Sequence, residues 1–475
     1  MSLSQRLDTS VLQSYEIVSE AKLQPLLAQA AAQDRHKIIV LDDDPTGVQT
    51  VHDIYVYTDW SYESLCRCFD EEAKVVYILT NSRGMTEAET RRVHEEIGER
   101  ILCVSKEKGQ PFLLVSRSDS TLRGHYPLET SLLREKLEAG GQTVDGEILC
   151  PYFKEGGRFT IDNVHYVKYG NELVPAGQTE FAQDKTFGYS SSDLTEYIEE
   201  KSQGIYKKES VVTIALKDLR ACRYEQICQQ LMAVNDFQKV VVNAIDACDV
   251  KVFTIALYQA LAQGKYFLFR TAAGLVKELG AIENKALLKH DEMVLPDTTC
   301  GGIVVIGSHT QKTTSQLEAL RDLTGLQFIE FNSDLVLEPT QFAAEIDSVL
   351  SQEEAYLAQG KTVIVYTKRQ LLTLENDTKE AALKRSVAIS EAVQSLVGRL
   401  QIIPAFVVAK GGITSSDIGT KALRVKRAKV LGQIQPGIPV WQTDGTSKFP
   451  HMPYVIFPGN VGEPDTLKEV VKILS

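Results

Sequence analysis

Short apolar runs without polar alternation recur along the chain and alternate with longer amphipathic stretches. The runs are KIIVL (37–41), VVYILT (75–80), FLLVSR (112–117), VVTIAL (211–216), KVVVNAI (239–245), GIVVIG (302–307), TVIVYT (362–367) and AFVVAK (405–410). Uninterrupted apolar strands are typical of parallel sheets that are buried on both faces. Residues 86–109 form one of the amphipathic stretches and have the composition of a helix. The pattern predicts an α/β fold in which mainly parallel sheets are flanked by helices.

The length of the chain predicts two domains. A chain of 475 residues is too long for a single hydrophobic core. The best boundary lies in residues 289–302, where polar residues, a proline and paired glycines separate a helical stretch from a new strand. We therefore place one domain over residues 1–290 and the other over residues 291–475.

Composition and charge narrow the class of protein. The net charge of −12 argues against nucleic acid as a partner, because binding a phosphate backbone requires a basic face. The N-terminus lacks the apolar core of a signal peptide, and no apolar run is long enough to span a membrane. The eight cysteines form no CxxC pair and are expected to be reduced core residues. We expect a cytoplasmic enzyme of small molecules, for which a homodimer is compatible with the sequence.

Ligands of open parallel sheets bind beyond the carboxyl ends of the strands, so the residues that follow the apolar runs are the candidates for chemistry. In the first half of the chain these candidates are Asp42, Asp43, Asp44, Arg83, Arg117, Asp119, Arg123 and His125. In the second half they are Ser308, Gly411, Gly412, Thr414 and Gly459. The first set is charged and the second is rich in glycine and hydroxyl groups, which indicates two separate tasks.

The charged set fits a small anionic substrate that carries hydroxyl groups. Arginine pairs bidentately with carboxylates, and Asp119 can bind hydroxyls. One aspartate of the 42–44 run can act as a general base toward a hydroxyl while another holds magnesium. Asp42 or Asp43 could instead cap the turn over residues 45–47, a role we expect for at least one of the three aspartates.

The glycine-rich set fits a nucleotide. Glycines allow backbone amides to approach a phosphate, and a following helix adds unsatisfied N–H groups. A single glycine at a junction between a strand and a helix is usually only a turn, but three such junctions in one half of the chain favour phosphate binding.

Two other functions remain open on the residues alone. Asp42 and Asp44 have the spacing of the aspartyl nucleophile of haloacid dehalogenase-type phosphatases, with Asp246 and Asp249 as candidate metal ligands. A sensor that binds a sugar acid or a nucleotide without catalysis is the second alternative.

The motifs together resemble the four-carbon acid sugar kinase family, which includes threonate, erythronate and 3-oxo-tetronate kinases. The motifs are LDDDPTGVQT (41–50), SRSDSTLRGH (116–125), GGRFTIDNVHYV (156–167), TEFAQDKTFGY (179–189) and VVAKGGITSSDI (407–418). The resemblance implies a sugar-acid-binding domain at residues 1–290, a nucleotide-binding domain at residues 291–475 and an active site in the cleft between them. It also implies phosphorylation of a hydroxyl of a short sugar acid by ATP with Mg²⁺.

The resemblance implies the nucleotide contacts, and the needs of phosphoryl transfer indicate the other residue roles. The ATP contacts of the family fall on Ser308, Gly412 and Gly459, and we add Gly411 and Thr414 from the same turn. We expect Arg83, Arg117, Arg123 and His125 to bind the substrate, and Asp43, Asp44 or Asp119 to act in catalysis.

Overall fold

The structure is a computed structural model that describes residues 5–293, 298–370, 372–374, 377–459 and 461–475. Contacts divide the chain into two compact units, Met1–Thr50 with Asp59–Asn284 and Val51–Thr58 with Lys285–Ser475. The predicted boundary segment, residues 289–302, contains residues 294–297, which lie outside the described residues.

The elements follow one another in a largely alternating order. The strands are β1 (Leu7–Asp8), β2 (Lys37–Asp42), β3 (Ile54–Tyr57), β4 (Val75–Leu79), β5 (Phe112–Arg117), β6 (Gly146–Cys150), β7 (Arg158–Ile161), β8 (Val164–Tyr169), β9 (Glu172–Pro175), β10 (Val212–Ile214), β11 (Gln238–Val242), β12 (Phe267–Thr271), β13 (Ile303–Ile306), β14 (Leu326–Phe331), β15 (Thr362–Thr367), β16 (Val407–Lys410), β17 (Arg427–Gln435), β18 (Ile438–Thr443) and β19 (Pro453–Phe457). The helices are α1 (Glu20–Gln33), α2 (Tyr62–Asp70), α3 (Glu87–Lys108), α4 (Leu128–Ala139), α5 (Leu194–Lys201), α6 (Leu216–Arg220), α7 (Tyr224–Ala233), α8 (Ala247–Ala262), α9 (Ala273–Leu279), α10 (Gln311–Leu320), α11 (Pro339–Leu357), α12 (Lys379–Gly398), α13 (Gly412–Asp417) and α14 (Thr466–Leu474).

The main sheet of the first unit is parallel, in the order β10-β11-β6-β12-β5-β2-β4. Every residue of β2, β4 and β5 is buried, which is the result expected for apolar runs covered on both faces. The predicted α/β class is confirmed.

Helix α3 shows how the sequence sets the ends of these helices. Thr86 and Glu89 form a reciprocal capping box at its start, and Gly109 ends it with a φ of 61°, a left-handed conformation that glycine adopts without strain. None of the described helices is long and apolar enough to cross a lipid bilayer.

A small antiparallel sheet in the order β1-β9-β8-β7 is inserted in the first unit. The hairpin between β7 and β8 turns at Asp162 and Asn163, whose φ values of 47° and 68° belong to the tight turns that join twisted strands. This sheet carries the GGRFTIDNVHYV motif, and the sequence pattern did not predict it.

The second unit has a mixed sheet in the order β3-β17-β18-β19-β16-β13-β15-β14. Strands β14, β15, β13, β16 and β19 are parallel, whereas β18, β17 and β3 continue the sheet in antiparallel fashion. Residues 51–58 therefore belong to this unit, although they lie within the segment 1–290 that the sequence assigns to the first domain.

All eight cysteines are free thiols. Cys68, Cys150, Cys228 and Cys248 are buried, in agreement with the expected core positions. Cys103 is exposed and three further cysteines are half-buried, so these four differ from that expectation: Cys66, Cys103, Cys222 and Cys300.

Helix α11 carries a carboxyl group without any hydrogen-bond partner in the described part of the chain. Glu353 is 0% exposed, and neither of its carboxylate oxygens meets a donor. Burial, with the neighbouring charge of Glu354, raises the pKa of Glu353 well above its usual value. The folded protein therefore favours the protonated acid at this position.

Replacing Glu353 by methionine should stabilise the second unit. Stability that depends on a raised carboxyl pKa is present at low pH and is lost as the pH rises from the ordinary glutamate value through the raised one. Glu353→Met should therefore raise the free energy of unfolding by about 1–3 kcal/mol near neutral pH, and by less at pH 4 to 5. Urea unfolding at several pH values measures the difference. Glu391→Met, an exposed position on α12, is the control, and an equal gain in both variants would contradict the explanation.

Candidate functional site

Strand order places a crevice at the carboxyl end of the main sheet in the first unit. The chain leaves β2 toward β4 on one side, and it leaves β5 toward β6 on the other side. At such a switch point the two connections diverge, and open α/β sheets bind their ligands there. The residues that follow β2 and β5 are the predicted aspartates and arginines.

Two of the three consecutive aspartates are buried and paired with arginine. Asp42 and Asp43 are 2% and 3% exposed. Arg117 donates from Nη1 to Asp42 Oδ1 at 3.1 Å. Arg83 grips Asp43 with two hydrogen bonds, Nη2 to Oδ1 at 2.6 Å and Nε to Oδ2 at 3.1 Å. The structure thus brings Arg83 and Arg117 together around the aspartate run.

Asp44 caps the turn that follows. Its Oδ1 accepts hydrogen bonds from Thr46 N at 2.8 Å and from Thr46 Oγ1 at 2.5 Å. The expectation that at least one of the three aspartates caps this turn is met by Asp44, whereas Asp42 and Asp43 pair with the arginines instead. The Oδ2 atom of Asp44 has only a 3.4 Å contact with Arg83 Nη1, and its side chain is 19% exposed. Asp44 is the most accessible carboxylate of the run.

The surroundings shift the pKa values of Asp42 and Asp44 in opposite directions. Burial, with the charges of Asp43 and Asp44, raises the pKa of Asp42 to about 7, although Arg117 opposes the rise. Burial also disfavours ionised Asp44, but the charge of Arg83 and the hydrogen bonds from Thr46 outweigh it and lower the pKa of Asp44 below its usual value. Asp44 is therefore ionised at neutral pH, whereas burial favours the protonated form of Asp42 more than that of an ordinary aspartate.

The loop after β5 holds a second acidic group. Asp119 accepts a hydrogen bond from Arg123 Nε at 2.6 Å, and Thr121 Oγ1 also donates to it. Burial would raise the pKa of Asp119, but the charges of Arg83 and Arg123 lower it far below its usual value. Arg123 also lies over the ring of Phe181, 5.1 Å from its centroid. Asp119 and Arg123 thus form a charged pair that remains partly exposed.

His125 lies at the end of the same loop. Its Nε2 donates to Met85 O at 3.0 Å, and its ring packs edge-on against Phe187 at a centroid distance of 4.9 Å. Its described contacts are therefore those of a residue that fixes the loop.

Gly47 and Arg270 complete this site, and the sequence pattern indicated a role for neither of them. A Cβ atom at Gly47 would lie 1.9 Å from Asp42 Oδ2, so only glycine fits beside that carboxyl group. Arg270, from β12, donates to Glu129 and, at 3.3 Å, to Arg123 O. A charged residue inside the apolar run of β12 was the signal that could have identified Arg270.

The second unit has its own switch point between β13 and β16. The chain leaves β13 toward β14 on one side and β16 toward β19 on the other. The residues after these strands are Gly307 and Ser308, then Gly411 and Gly412. The predicted nucleotide contacts therefore lie at the position where a sheet of this kind binds ligands.

Three turns meet at this point because glycine leaves room for them. A Cβ atom at Gly307 would lie 2.3 Å from Thr414 Oγ1, and one at Gly459 would lie 3.3 Å from Ser308 Oγ. Gly411 has a φ of 127°, a conformation that side chains disfavour, and packs beside Ser308 and Thr414. The structure brings Ser308, Gly411, Thr414 and Gly459 together, and Gly412 begins α13 directly after them.

Two basic side chains hold these turns through hydrogen bonds to the backbone. Lys410 is fully buried, donates to Pro458 O at 2.6 Å and lies 4.0 Å from the centroid of the Phe457 ring. Burial, with the nearby charge of Lys312, lowers the pKa of Lys410 to about 7. Arg369 donates from Nη2 to Ser308 O at 2.6 Å. Lys410 ends an apolar run and could have been noticed in the sequence, whereas nothing local marks Arg369.

The candidate metal ligands of the phosphatase alternative have structural roles. Asp246 and Asp249 form the capping box at the start of α8. Asp246 also pairs with Lys154 at 2.6 Å, and Asp249 accepts two hydrogen bonds from Arg220. Neither carboxylate is placed as a free metal ligand.

Comparisons with known proteins agree with the division of the chain into two domains. Residues 38–279 match a family model described as the sugar-binding N-terminal domain, and residues 303–467 match one described as the nucleotide-binding C-terminal domain. No curated protein matches the chain.

Two solved structures share the fold. A Haemophilus influenzae protein of family DUF1537 has a TM-score of 0.61 and 18% sequence identity, over 92% of this chain and 100% of that one. A Salmonella typhimurium LT2 protein, provisionally named a tRNA synthase, has a TM-score of 0.66 and 16% identity, over 91% of this chain and 98% of that one. At such identities the likeness concerns the fold alone. Since the two domain models match in order and the first alone covers more than half of the sequence, the chain belongs to the four-carbon acid sugar kinase family.

Proposed function

We propose that the protein transfers the terminal phosphoryl group of ATP to a hydroxyl of a short sugar acid of about four carbons, such as threonate, erythronate or 3-oxo-tetronate. The observation that supports this proposal most is the pair of switch-point crevices. One presents carboxylates and guanidinium groups, and the other presents glycine turns and hydroxyl groups. A sugar acid needs the first kind of surface, and a polyphosphate needs the second.

The substrate carboxylate is assigned to Arg123 and Arg83. Their side chains are 25% and 21% exposed, so a ligand can reach them, whereas the Arg117 side chain is 5% exposed. Arg123 and Arg83 each also pair with an aspartate, so the substrate would contact the part of each guanidinium group that stays exposed. Arginine presents a planar fork that suits a carboxylate. Arg117 then acts by holding Asp42 in place rather than by touching the acid.

Asp44 is the proposed general base. Both oxygens of Asp43 are held by Arg83, and Ser118 donates to one of them as well. Asp44 is ionised, is more exposed than Asp43 and has one oxygen with only a weak partner. A base must be within hydrogen-bond reach of the hydroxyl proton that it removes, and Asp44 Oδ2 is the atom that can provide this.

Phosphoryl transfer requires alignment and charge neutralisation more than covalent chemistry from the protein. The amides and hydroxyls around Ser308, Gly411 and Gly459 would hold the phosphates. Magnesium would enter as part of the Mg–ATP substrate, whose phosphates supply most of its oxygen ligands. In the part of the chain that the structure describes, no group of three or more His, Cys, Asp or Glu side chains is arranged to hold a metal ion.

Purified protein should release ADP from Mg–ATP only when a four-carbon sugar acid is present. A coupled assay for ADP with a panel of threonate, erythronate and related acids measures this. Hydrolysis of phosphate esters without ATP would favour a phosphatase instead. Saturable binding of an acid and ATP without turnover would favour a sensor, and either result would contradict the kinase proposal.

Asp44→Asn should lower kcat about a hundredfold or more with little change in KM, because a base acts on the chemical step. Asparagine caps a turn as well as aspartate does, so the fold around Thr46 should persist. Asp193→Asn is the matched control, since Asp193 Oδ1 accepts from Thr195 N at 2.8 Å and from Thr195 Oγ1 at 2.6 Å in the same way. A normal kcat in Asp44→Asn would move the base role to Asp43 or Asp119.

Arg123→Ala should raise KM for the acid roughly tenfold to a hundredfold, because a charge-assisted contact to the substrate is lost in ground and transition states alike. Steady-state kinetics with the acid varied at saturating ATP measures the change. Arg134→Ala is the control, because Arg134 also pairs with a carboxylate, Glu138, at 2.9 Å and lies over an aromatic ring, that of Phe237. If both variants keep the native KM, Arg123 does not bind the acid.

A further inference from the structure

Three buried side chains donate hydrogen bonds to three consecutive backbone carbonyls of the loop after β5. The carbonyls of residues 120, 121 and 122 accept, in that order, from His165 Nε2 at 2.8 Å, Tyr189 Oη at 2.7 Å and Tyr197 Oη at 2.8 Å. Buried carbonyls outside helices and strands need partners of this kind from other parts of the chain. We call His165, Tyr189 and Tyr197 the carbonyl clamp.

The donors of the carbonyl clamp are themselves held by further contacts. Burial lowers the pKa of His165 to about 4, so its ring is neutral at physiological pH. Since the carbonyl of Ser120 can only accept, the ring proton lies on Nε2, and Nδ1 accepts from Thr160 Oγ1 at 3.0 Å. The rings of Tyr189 and Tyr197 pack edge to face at a centroid distance of 5.5 Å. Each donor therefore has its orientation set by a neighbour.

The loop that the carbonyl clamp holds has an unusual backbone conformation. Leu122 has a φ of 68°, in the left-handed region that residues other than glycine rarely adopt. Its side chain is buried in the same apolar cluster as Tyr189 and Tyr197. Conformations of this kind persist only where the surrounding structure imposes them, and they occur often at functional sites. Here the packing of Leu122 and the hydrogen bonds of the clamp impose it.

The same loop carries Arg123, and the segment that supplies Tyr189 also contacts the Arg123 side chain. Phe181 lies under the guanidinium group of Arg123, and Asp184 Oδ2 is 3.8 Å from its Nη1. Tyr189 is the last residue of the TEFAQDKTFGY motif, to which Phe181 and Asp184 also belong. Residues 179–189 therefore contact both the backbone of the loop and the guanidinium group at its end.

We propose that the carbonyl clamp holds the loop so that Arg123 presents its guanidinium group to the carboxylate of the sugar acid. This inference rests on the proposed function and adds three positioning residues to it. They are buried and act through the loop. The small antiparallel sheet thereby gains a task, since β8 carries His165. A group that is oriented before the substrate arrives loses less conformational freedom when the substrate binds.

Replacing both tyrosines by phenylalanine removes the two hydroxyl groups and keeps the packed rings. Tyr189→Phe combined with Tyr197→Phe should raise KM for the acid roughly tenfold, while kcat and KM for ATP stay within about twofold of the native values. Amide hydrogen exchange of residues 118–126, followed by mass spectrometry, should become faster. Tyr258→Phe is the matched control, because the buried hydroxyl of Tyr258 also donates to a backbone carbonyl, that of Leu279 in the same unit. The control should change neither readout.

A second background separates positioning from a general loss of stability. If the carbonyl clamp acts through Arg123, the same two substitutions in Arg123→Ala should leave KM for the acid within about twofold of Arg123→Ala alone. A merely structural role would raise KM by the same factor in both backgrounds.

The inference is overturned if the two tyrosine substitutions leave KM at its native value, or if they raise it equally in the Arg123→Ala background. It is also overturned if Tyr258→Phe raises KM as much. Faster exchange of the loop with a native KM would contradict it too, because the loop would then bind the acid without the clamp. A native chain that neither binds the acid nor releases ADP in its presence would reject the proposed function itself, and the task of the clamp with it.

Discussion

Ionised carboxylates are costly to bury, and the end of β2 concentrates that cost in three consecutive aspartates. Arginines from both strands that flank β2 compensate the negative charge of these aspartates. Arg83 follows β4 and Arg117 ends β5. Gly47 leaves the space that Asp42 occupies. The strand order of the first unit thus determines which cations reach the aspartates, and the same order opens the crevice in which a substrate would meet them.

The two units use the same kind of sheet edge for different chemistry. In the first unit, fixed charges neutralise one another and leave Asp44 and the Asp119–Arg123 pair partly accessible. In the second unit, the turns present glycine backbone and hydroxyl groups, while the amine of Lys410 is buried and donates to the backbone of one turn. An anion that arrives at these turns meets backbone and hydroxyl donors.

The sequence predicted the parallel strands and most of the candidate site, because apolar runs are local signals and the ends of parallel strands converge on one edge. It did not predict which aspartate caps the turn after β2, since this depends on how Arg83 and Arg117 orient Asp42 and Asp43. Arg270 was missed because its neighbours lie in distant segments. The pairing of β3 with β17 leaves no local signal at all, because the two strands are far apart in the chain.

The pairing of β3 with β17 matters during translation, because the two strands are synthesised far apart in time. During synthesis β3 leaves the ribosome between two strands of the first unit, but β17 follows only after residue 427. Ile54, Val56 and Tyr57, which are buried in the finished protein, must wait without their partner strand for most of translation. An apolar strand with an unpaired edge is open to mispairing. The nascent chain therefore carries an aggregation hazard in an early segment whose partner strand is encoded near its end.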